Sequence, residues 1–247
     1  VGSEMCIRDS FKFDQKALVS ATPIELNDPR FKEQNFQTIE IQPTFDYKKE
    51  IWLHHTNNTL QAFKNVLSKL NNEEAAPLPI CVFINSTDII YSLMKQLDLL
   101  EESAVFCAPK SVDKLKKNRF CNVYEQWNKD KMKRYNFFTS RFFNAVDMEL
   151  EEQPHVIMLT DVYFAEHTMI DPYTDAIQIV GRFRNGVSSI TYISNTKKGL
   201  PQRSKEEIKG YLICSKEIYR TMKNFYDCAT DRASRDAYRA ALESLPF

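Results

Sequence analysis

Four short stretches in the middle of the chain begin with nearly unbroken apolar runs: ICVFINS (80–86), SAVFCAP (103–109), YNFFTSRF (135–142) and HVIMLTDV (155–162). A run of this kind bounded by turn residues is expected of a strand covered on both faces, since a strand with one wet face alternates instead. Between the runs the period changes. Leu60, Phe63, Val66, Leu67 and Leu70 share one helical face, which predicts a helix over 59–70. Helices are also predicted over 87–100, 111–118 and 173–183, the last with Thr174 as its N-cap. SSITYISN from Ser188 reads as a fifth strand. Strands alternating with helices predict a parallel α/β sheet with right-handed crossovers.

The flanks read less regularly. KALVSATPIEL (16–26) resembles the end of a buried strand broken at Ser-Ala-Thr-Pro, and Asn27, Asp28 and Pro29 signal a loop. FQTIEIQP (36–43) alternates and predicts a strand, NNEEAAPLP (71–79) a loop, and the chain beyond Ser204 a charged helical segment. No internal repeat or low-complexity tract interrupts the pattern.

Composition narrows the picture only in part. A chain of 247 residues with 17 Phe and 11 Tyr can fill one or two domains. Lys plus Arg equals Asp plus Glu at 33 each, so bulk charge does not announce a nucleic-acid binder, although a groove can still be locally basic. The basic runs KKNRF and KDKMKRY fit either a groove or a solvated face. Cys81, Cys107, Cys121, Cys214 and Cys228 are scattered, with no C-x-x-C pair. That suggests neither a zinc site nor a disulfide framework and fits a reducing cytoplasm. Adjacent His54 and His55 point in different directions on regular structure, and no metal site is expected. No apolar run is long enough to cross a bilayer.

The first ten residues, VGSEMCIRDS, have neither period nor turn chemistry. They back-translate in one frame into a string that resembles a transposase mosaic-end sequencing adaptor. Residues 1–10 are therefore left out of the fold reading. The expectation is an environmental read that cuts into a longer protein, and without Glu4, Arg8 and Asp9 the charge balance becomes +1.

Function in an open parallel sheet collects at the C-terminal ends of the strands. Polar residues expected there are Ser20, Ala21 and Thr22 after the first run, Asn85 and Ser86 after ICVFI, and Thr139, Ser140 and then Asp147 after YNFF. Gln178, Gly181, Arg182 and Arg184 lie on the last crossover helix, and one ligand-facing edge is expected to gather all four groups. Taken singly, such residues serve as turn, capping or ion-paired surface groups. Their order is what makes them informative.

In that order the chain resembles the later part of a superfamily 2 DEAD/DEAH-type helicase core. SAT at 20–22 is similar to the third family motif and CVFINS to the fourth. TSRFFNAVD (139–147) has the spacing of the fifth, and QIVGRFR (178–184) the Q-x-x-G-R-x-R form of the sixth. The resemblance implies a RecA-like parallel sheet flanked by helices, the second helicase lobe. It covers 50–200, preceded over 11–49 by the last strand of a first lobe with its linker, and followed over 201–247 by a helical extension. It implies Arg182 and Arg184 as arginine fingers with Gln178 beside them as the catalytic group. Asp147 and Gly181 would lie at the nucleotide, and Asn85, Ser86, Thr139 and Ser140 on a sugar–phosphate backbone. Ser20, Ala21 and Thr22 would couple the lobes. The implied cofactors are ATP and Mg²⁺, the implied partners DNA (or RNA) and a first lobe in cis, and no membrane is involved.

Two departures stand out. Ala145 replaces the family's usual glycine, and the arginines are spaced GRFR, where many members have GRxxR. The chain also has no G-x-x-x-x-G-K-[ST] loop and no DEAD-like acidic pair. Those features belong to the first lobe, so the chain by itself is expected to bind ATP weakly and not to hydrolyse it. The alternatives are a motor subunit of a restriction or replication-initiation system that does not separate strands, and a degenerate RecA-like binding module.

Overall fold

The computed structural model describes residues 17, 29–42, 44, 48–72, 77–144, 146–196, 199 and 203–245. These fall into two compact units that part between Lys197 and Lys198.

In the first unit, the described residues form seven strands: β1 (Trp52–His55), β2 (Ile80–Phe83), β3 (Ser103–Phe106), β4 (Val123–Tyr124), β5 (Tyr135–Phe138), β6 (His155–Leu159) and β7 (Ser189–Ser194). They make one sheet in the order β1-β7-β6-β2-β5-β3-β4, and every pair is parallel. The helices are α1 (Pro29–Glu33), α2 (Thr59–Asn71), α3 (Thr87–Gln96), α4 (Pro109–Lys117) and α5 (Asp175–Gly181). This is the predicted parallel α/β sheet flanked by helices. Each of the four predicted stretches begins with a strand buried at every residue, and each strand ends short of the predicted run.

Outside β1, whose four residues are exposed, alternate residues of the strands serve two cores, as the period of two requires. Ile80 and Val82 of β2 join Val105, Phe137 and Ile157 against Phe63 and Leu67 of α2, Ile90 and Met94 of α3, and Leu115 of α4. Cys81 and Phe83 join Phe106, Phe138 and Met158 on the opposite face. That face is covered by Phe142, Phe143 and Met148, which follow β5, and by Ala176, Ile179 and Phe183 on α5 and its exit. Local chemistry sets the helix starts. Asn58 accepts a hydrogen bond from the Gln61 N–H at 3.0 Å, Ser86 caps α3 through the Ile89 N–H, and Pro109 opens α4.

Three expectations for this unit change. FQTIEIQP forms no strand: residues 36–42 have no regular structure, and Ile39 and Ile41 are exposed. Alternation alone does not make a strand without a neighbour for its backbone groups. Phe36 instead folds back on α1, its ring 5.1 Å from that of Phe31. Pro29, the last residue of the loop signal, is the first residue of that helix, and Asn27 and Asp28 lie outside the described residues. Thr174 is the residue before α5, but its side chain makes no cap bond. The Asp171 carboxylate instead closes a turn ahead of the helix, accepting from the N–H groups of Tyr173 (2.7 Å) and Thr174 (3.0 Å), while its backbone carbonyl accepts from the Ala176 N–H at 3.0 Å. The strand expected at 16–26 lies outside the described residues except for Ala17, and residues 1–10 lie outside them altogether.

The second unit is helical, with α6 (Lys205–Cys228) and α7 (Arg232–Glu243). A capping box of Ser204 and Glu207 starts α6, and Asp231 caps α7 through the Ser234 N–H at 2.8 Å. The Phe225 and Tyr238 rings pack 5.7 Å apart where the two helices meet.

Candidate functional site

The polar residues gather in two places, not along one edge. The first is a cavity of about 270 Å³ at the C-terminal ends of the neighbouring strands β2 and β5, lined by Asn85, Ser86, Thr139 and Ser140 together with Arg141 and His167. Hydrogen bonds tie its wall together. The Asn85 amide donates to the His167 carbonyl at 3.0 Å and accepts from the Ser140 N–H at 3.4 Å. Thr139 is buried and its N–H donates to the Phe106 carbonyl at 3.2 Å. The cavity is therefore set by sheet geometry and by the Asn85 amide, not by loops alone. Asp88 also lines it but is ion-paired to Lys114 at 2.6 Å, and Arg141 lies 3.6 Å from Glu125.

The second place is the layer over the sheet face that α5 covers. After Thr139 the chain makes a 3₁₀ turn, Ser140–Phe142, which lays Phe142 and Phe143 on the sheet. It then runs to Met148, whose N–H donates to the Arg182 carbonyl at 2.8 Å, while the Arg184 N–H donates to the Met148 carbonyl at 3.3 Å. This bridge brings Asp147 against both arginines. Arg182 Nη1 donates to Asp147 Oδ1 at 3.2 Å, and Arg184 Nη2 to Oδ2 at 2.7 Å. Gln178, one helical turn before Arg182, accepts from its Nη2 at 3.1 Å through Oε1, and from its Nε at 3.2 Å through the backbone carbonyl. Gly181 accepts from Arg184 Nη1 at 3.4 Å and faces open space.

Electrostatics follow from this geometry. The hydrogen bond from Arg184, aided by the charges of both arginines and opposed by partial desolvation, holds the Asp147 carboxyl below its ordinary range. A lowered folded-state value stabilises the fold above the unfolded value near 4, and that stabilisation is lost as pH falls through the folded value. Asp147→Asn is therefore expected to lower the urea midpoint at pH 7, with the gap to the unaltered protein narrower in an acid buffer below the unfolded value near 4. Equal midpoints at both pH values would show that the clamp contributes nothing to stability.

Each residue named from the sequence can now be placed. Asn85, Ser86, Thr139 and Ser140 share the cavity, and Gln178, Gly181, Arg182, Arg184 and Asp147 share the clamp. No member of the second group lines the cavity, which corrects the expectation of a single edge. The reason is the 3₁₀ turn and its two phenylalanines, which carry the chain away from the strand ends. Ser20, Ala21 and Thr22 lie outside the described residues, as does Ala145. The run KDKMKRY is not at the cavity. Lys129 and Lys133 instead line a second hollow of about 280 Å³ beside Pro79, just before β2, where Lys129 pairs with Glu151 at 2.5 Å.

A buried polar network that no local period announces lies beyond β6 and β7. Asp161 is buried and accepts from Thr59 Oγ1 at 2.8 Å and Asn195 Nδ2 at 2.6 Å. The Asp161 N–H donates to Thr168 Oγ1 at 2.8 Å, and Asn195 Oδ1 accepts from the Val162 N–H at 2.9 Å. Thr-Asp directly after an apolar run was the available signal. Arg141, next to the Thr-Ser pair, is marked in the same way.

Among the described residues no group of three His, Cys, Asp or Glu side chains could hold a metal ion, and no helix is long and apolar enough to cross a membrane. No protein-family model matches the chain, and a search of curated proteins finds no relative. Among solved structures the chain is similar to the C-terminal domain of the DEAD-box protein Dbp5, at 11% identity and a TM-score of 0.36. The match covers 69% of this chain and 84% of that one.

Proposed function

We propose that this chain is the RecA-like second lobe of an ATP-driven helicase or translocase acting on nucleic acid, with DNA as the strand and RNA as the second case. The observation that supports this best is the pairing of two clusters on one segment. A cavity of short donors opens at Thr139 and Ser140, and eight residues after Thr139 the same segment reaches Asp147 and the two arginines. The donors at the cavity suit sugar–phosphate contacts, which position a strand without reading its sequence.

A triphosphate fits the second cluster by charge and shape. Two guanidiniums offer forked donors, one of them half exposed, and such forks hold phosphate oxygens in a geometry that lysine cannot match. Mg²⁺ does not fit there, because Asp147 is the clamp's only carboxylate and both its oxygens are already engaged. In this reading a first lobe in cis supplies the phosphate loop and holds the Mg²⁺. ATP, when bound, provides the γ-phosphoryl whose developing charge the arginines stabilise. Gln178 orients Arg182. Asp147 holds both guanidiniums while no phosphate is present.

Binding to a labelled single-stranded oligonucleotide tests the reading. At low salt the chain is expected to bind, with affinity falling as salt rises. Arg141→Ala should reduce the slope of log K against log salt by about 1. An absence of binding at 50 mM salt would overturn it.

A further inference from the structure

The first large side chains beyond β6 are aromatic and bare. Tyr163 is 63% and Phe164 79% exposed, with ring centroids 5.3 Å apart and planes at 76°. Met169 and Tyr173 are exposed a few residues on. A mobile loop could carry such residues without meaning, but this backbone is fastened. The Phe164 N–H donates to Asp161 Oδ1 at 3.4 Å, the Ala165 N–H to the Asp161 carbonyl at 3.0 Å, and Val162 is tied to Asn195. Behind the rings, Thr168 and Ile170 are fully buried. Rings held outward on a fixed backbone lose little entropy when something flat lies on them.

We propose that Tyr163 and Phe164 form a stacking platform for the bases of a single strand whose backbone lies in the cavity of Asn85 and Ser140. This rests on the strand-binding reading above and adds to it the part of the strand that is gripped. Two features favour bases over a protein surface. The platform adjoins the cavity directly: the loop that carries the rings also supplies His167 to the cavity wall, and Phe164 is three residues away, within about 11 Å along the chain. Of the neighbouring carboxylates, Asp161 is buried and bonded to Thr59 and Asn195, whereas Glu166 and Asp171 are exposed, Asp171 accepting from the N–H groups of Tyr173 and Thr174. Their charge discourages phosphates at the platform but leaves uncharged base faces unopposed. Donors for the backbone beside rings for the bases is the pairing by which proteins hold single strands without sequence preference.

The experiment uses the whole chain, a fluorescent thymidine 12-mer and an abasic 12-mer of equal length, read by anisotropy. Tyr163→Ala and Phe164→Ala are each expected to weaken thymidine-oligomer binding about tenfold and to leave the salt slope unchanged, since no phosphate contact is lost. The abasic oligomer should bind the unaltered chain and both variants alike. Phe164→Trp should keep full affinity, with its indole emission shifting when the oligomer binds. Equal affinities for the unaltered chain and the Tyr163→Ala/Phe164→Ala double variant would overturn the platform while leaving the strand-binding reading intact. No binding by the unaltered chain would overturn both. If the double variant changes only self-association in sedimentation, the rings serve a protein contact and the proposal is wrong.

Discussion

Replacing Arg182 by alanine, in a protein that joins this chain to a lobe carrying a phosphate loop, is expected to lower ATP turnover by about 10³-fold. The reasoning starts from pre-organisation. The Arg182 side chain is 19% exposed, against 50% for Arg184. Gln178 holds it at two points from one helical turn away, and Asp147 at a third. A guanidinium already fixed in place needs little reorganisation when negative charge develops on a phosphoryl group, and such stabilisation is among the largest effects in catalysis. A factor of 10³ corresponds to about 4 kcal/mol of barrier. Arg184 rests mainly on Asp147, so Arg184→Ala is expected to act first on KM. Lysine should not rescue position 182, because a single ammonium cannot reproduce a fork with one arm on Gln178. Steady-state kinetics of the two alanine variants and Arg182→Lys provide the check. Turnover within a few-fold of the unaltered protein for both alanine variants would end the finger assignment.

The second large effect concerns the fold itself. Phe83, Phe138 and Phe106 are register partners across β2, β5 and β3. Phe138 stacks between the other two, 5.0 Å from each with planes at 19° and 9°, and Phe142 meets its edge at 5.9 Å. All four are buried. Phe138→Ala leaves a hole at the centre of the sheet and is expected to cost about 3–5 kcal/mol. Urea denaturation should show a lower midpoint with an unchanged slope. Phe138→Leu, which keeps most of the volume but none of the stacking, should lose less. A loss below about 1 kcal/mol for the alanine variant would mean that the row of rings is not what secures the strands. Thr139 follows directly, so the same substitution should also weaken oligonucleotide binding.

Much of this was legible in the sequence, for one physical reason. A strand buried on both faces must be mostly apolar, and ICVF, SAVF, YNFF and HVIML are so, with Ser103, Asn136 and His155 as the buried polar residues among them. The spacing of Gln178 and Arg182 was also legible, since four residues is one helical turn. What was not legible depended on distant partners. WLHH of β1 is exposed at all four residues and exists as a strand because its backbone pairs with β7, from Trp52 opposite Thr191. FQTIEIQP has a better pattern, but its residues 36–42 pair with no strand among the described residues. The contact of Asp147 with Arg182 and Arg184 spans 35 and 37 residues, and no local period encodes it. Nor could the separation of the two clusters be read, because it follows from where Phe142 and Phe143 dock.

The stretch from Thr139 to Asp147 belongs to both clusters, and this imposes a symmetry on any chain built this way. Suppose that an occupant of the cavity shifts this stretch and changes by some factor how readily the arginines leave Asp147 for an anion. Thermodynamic reciprocity then requires an anion at the arginines to change the cavity's affinity by that same factor. Information would run in both directions along the stretch, and neither end could be the sole master of the other.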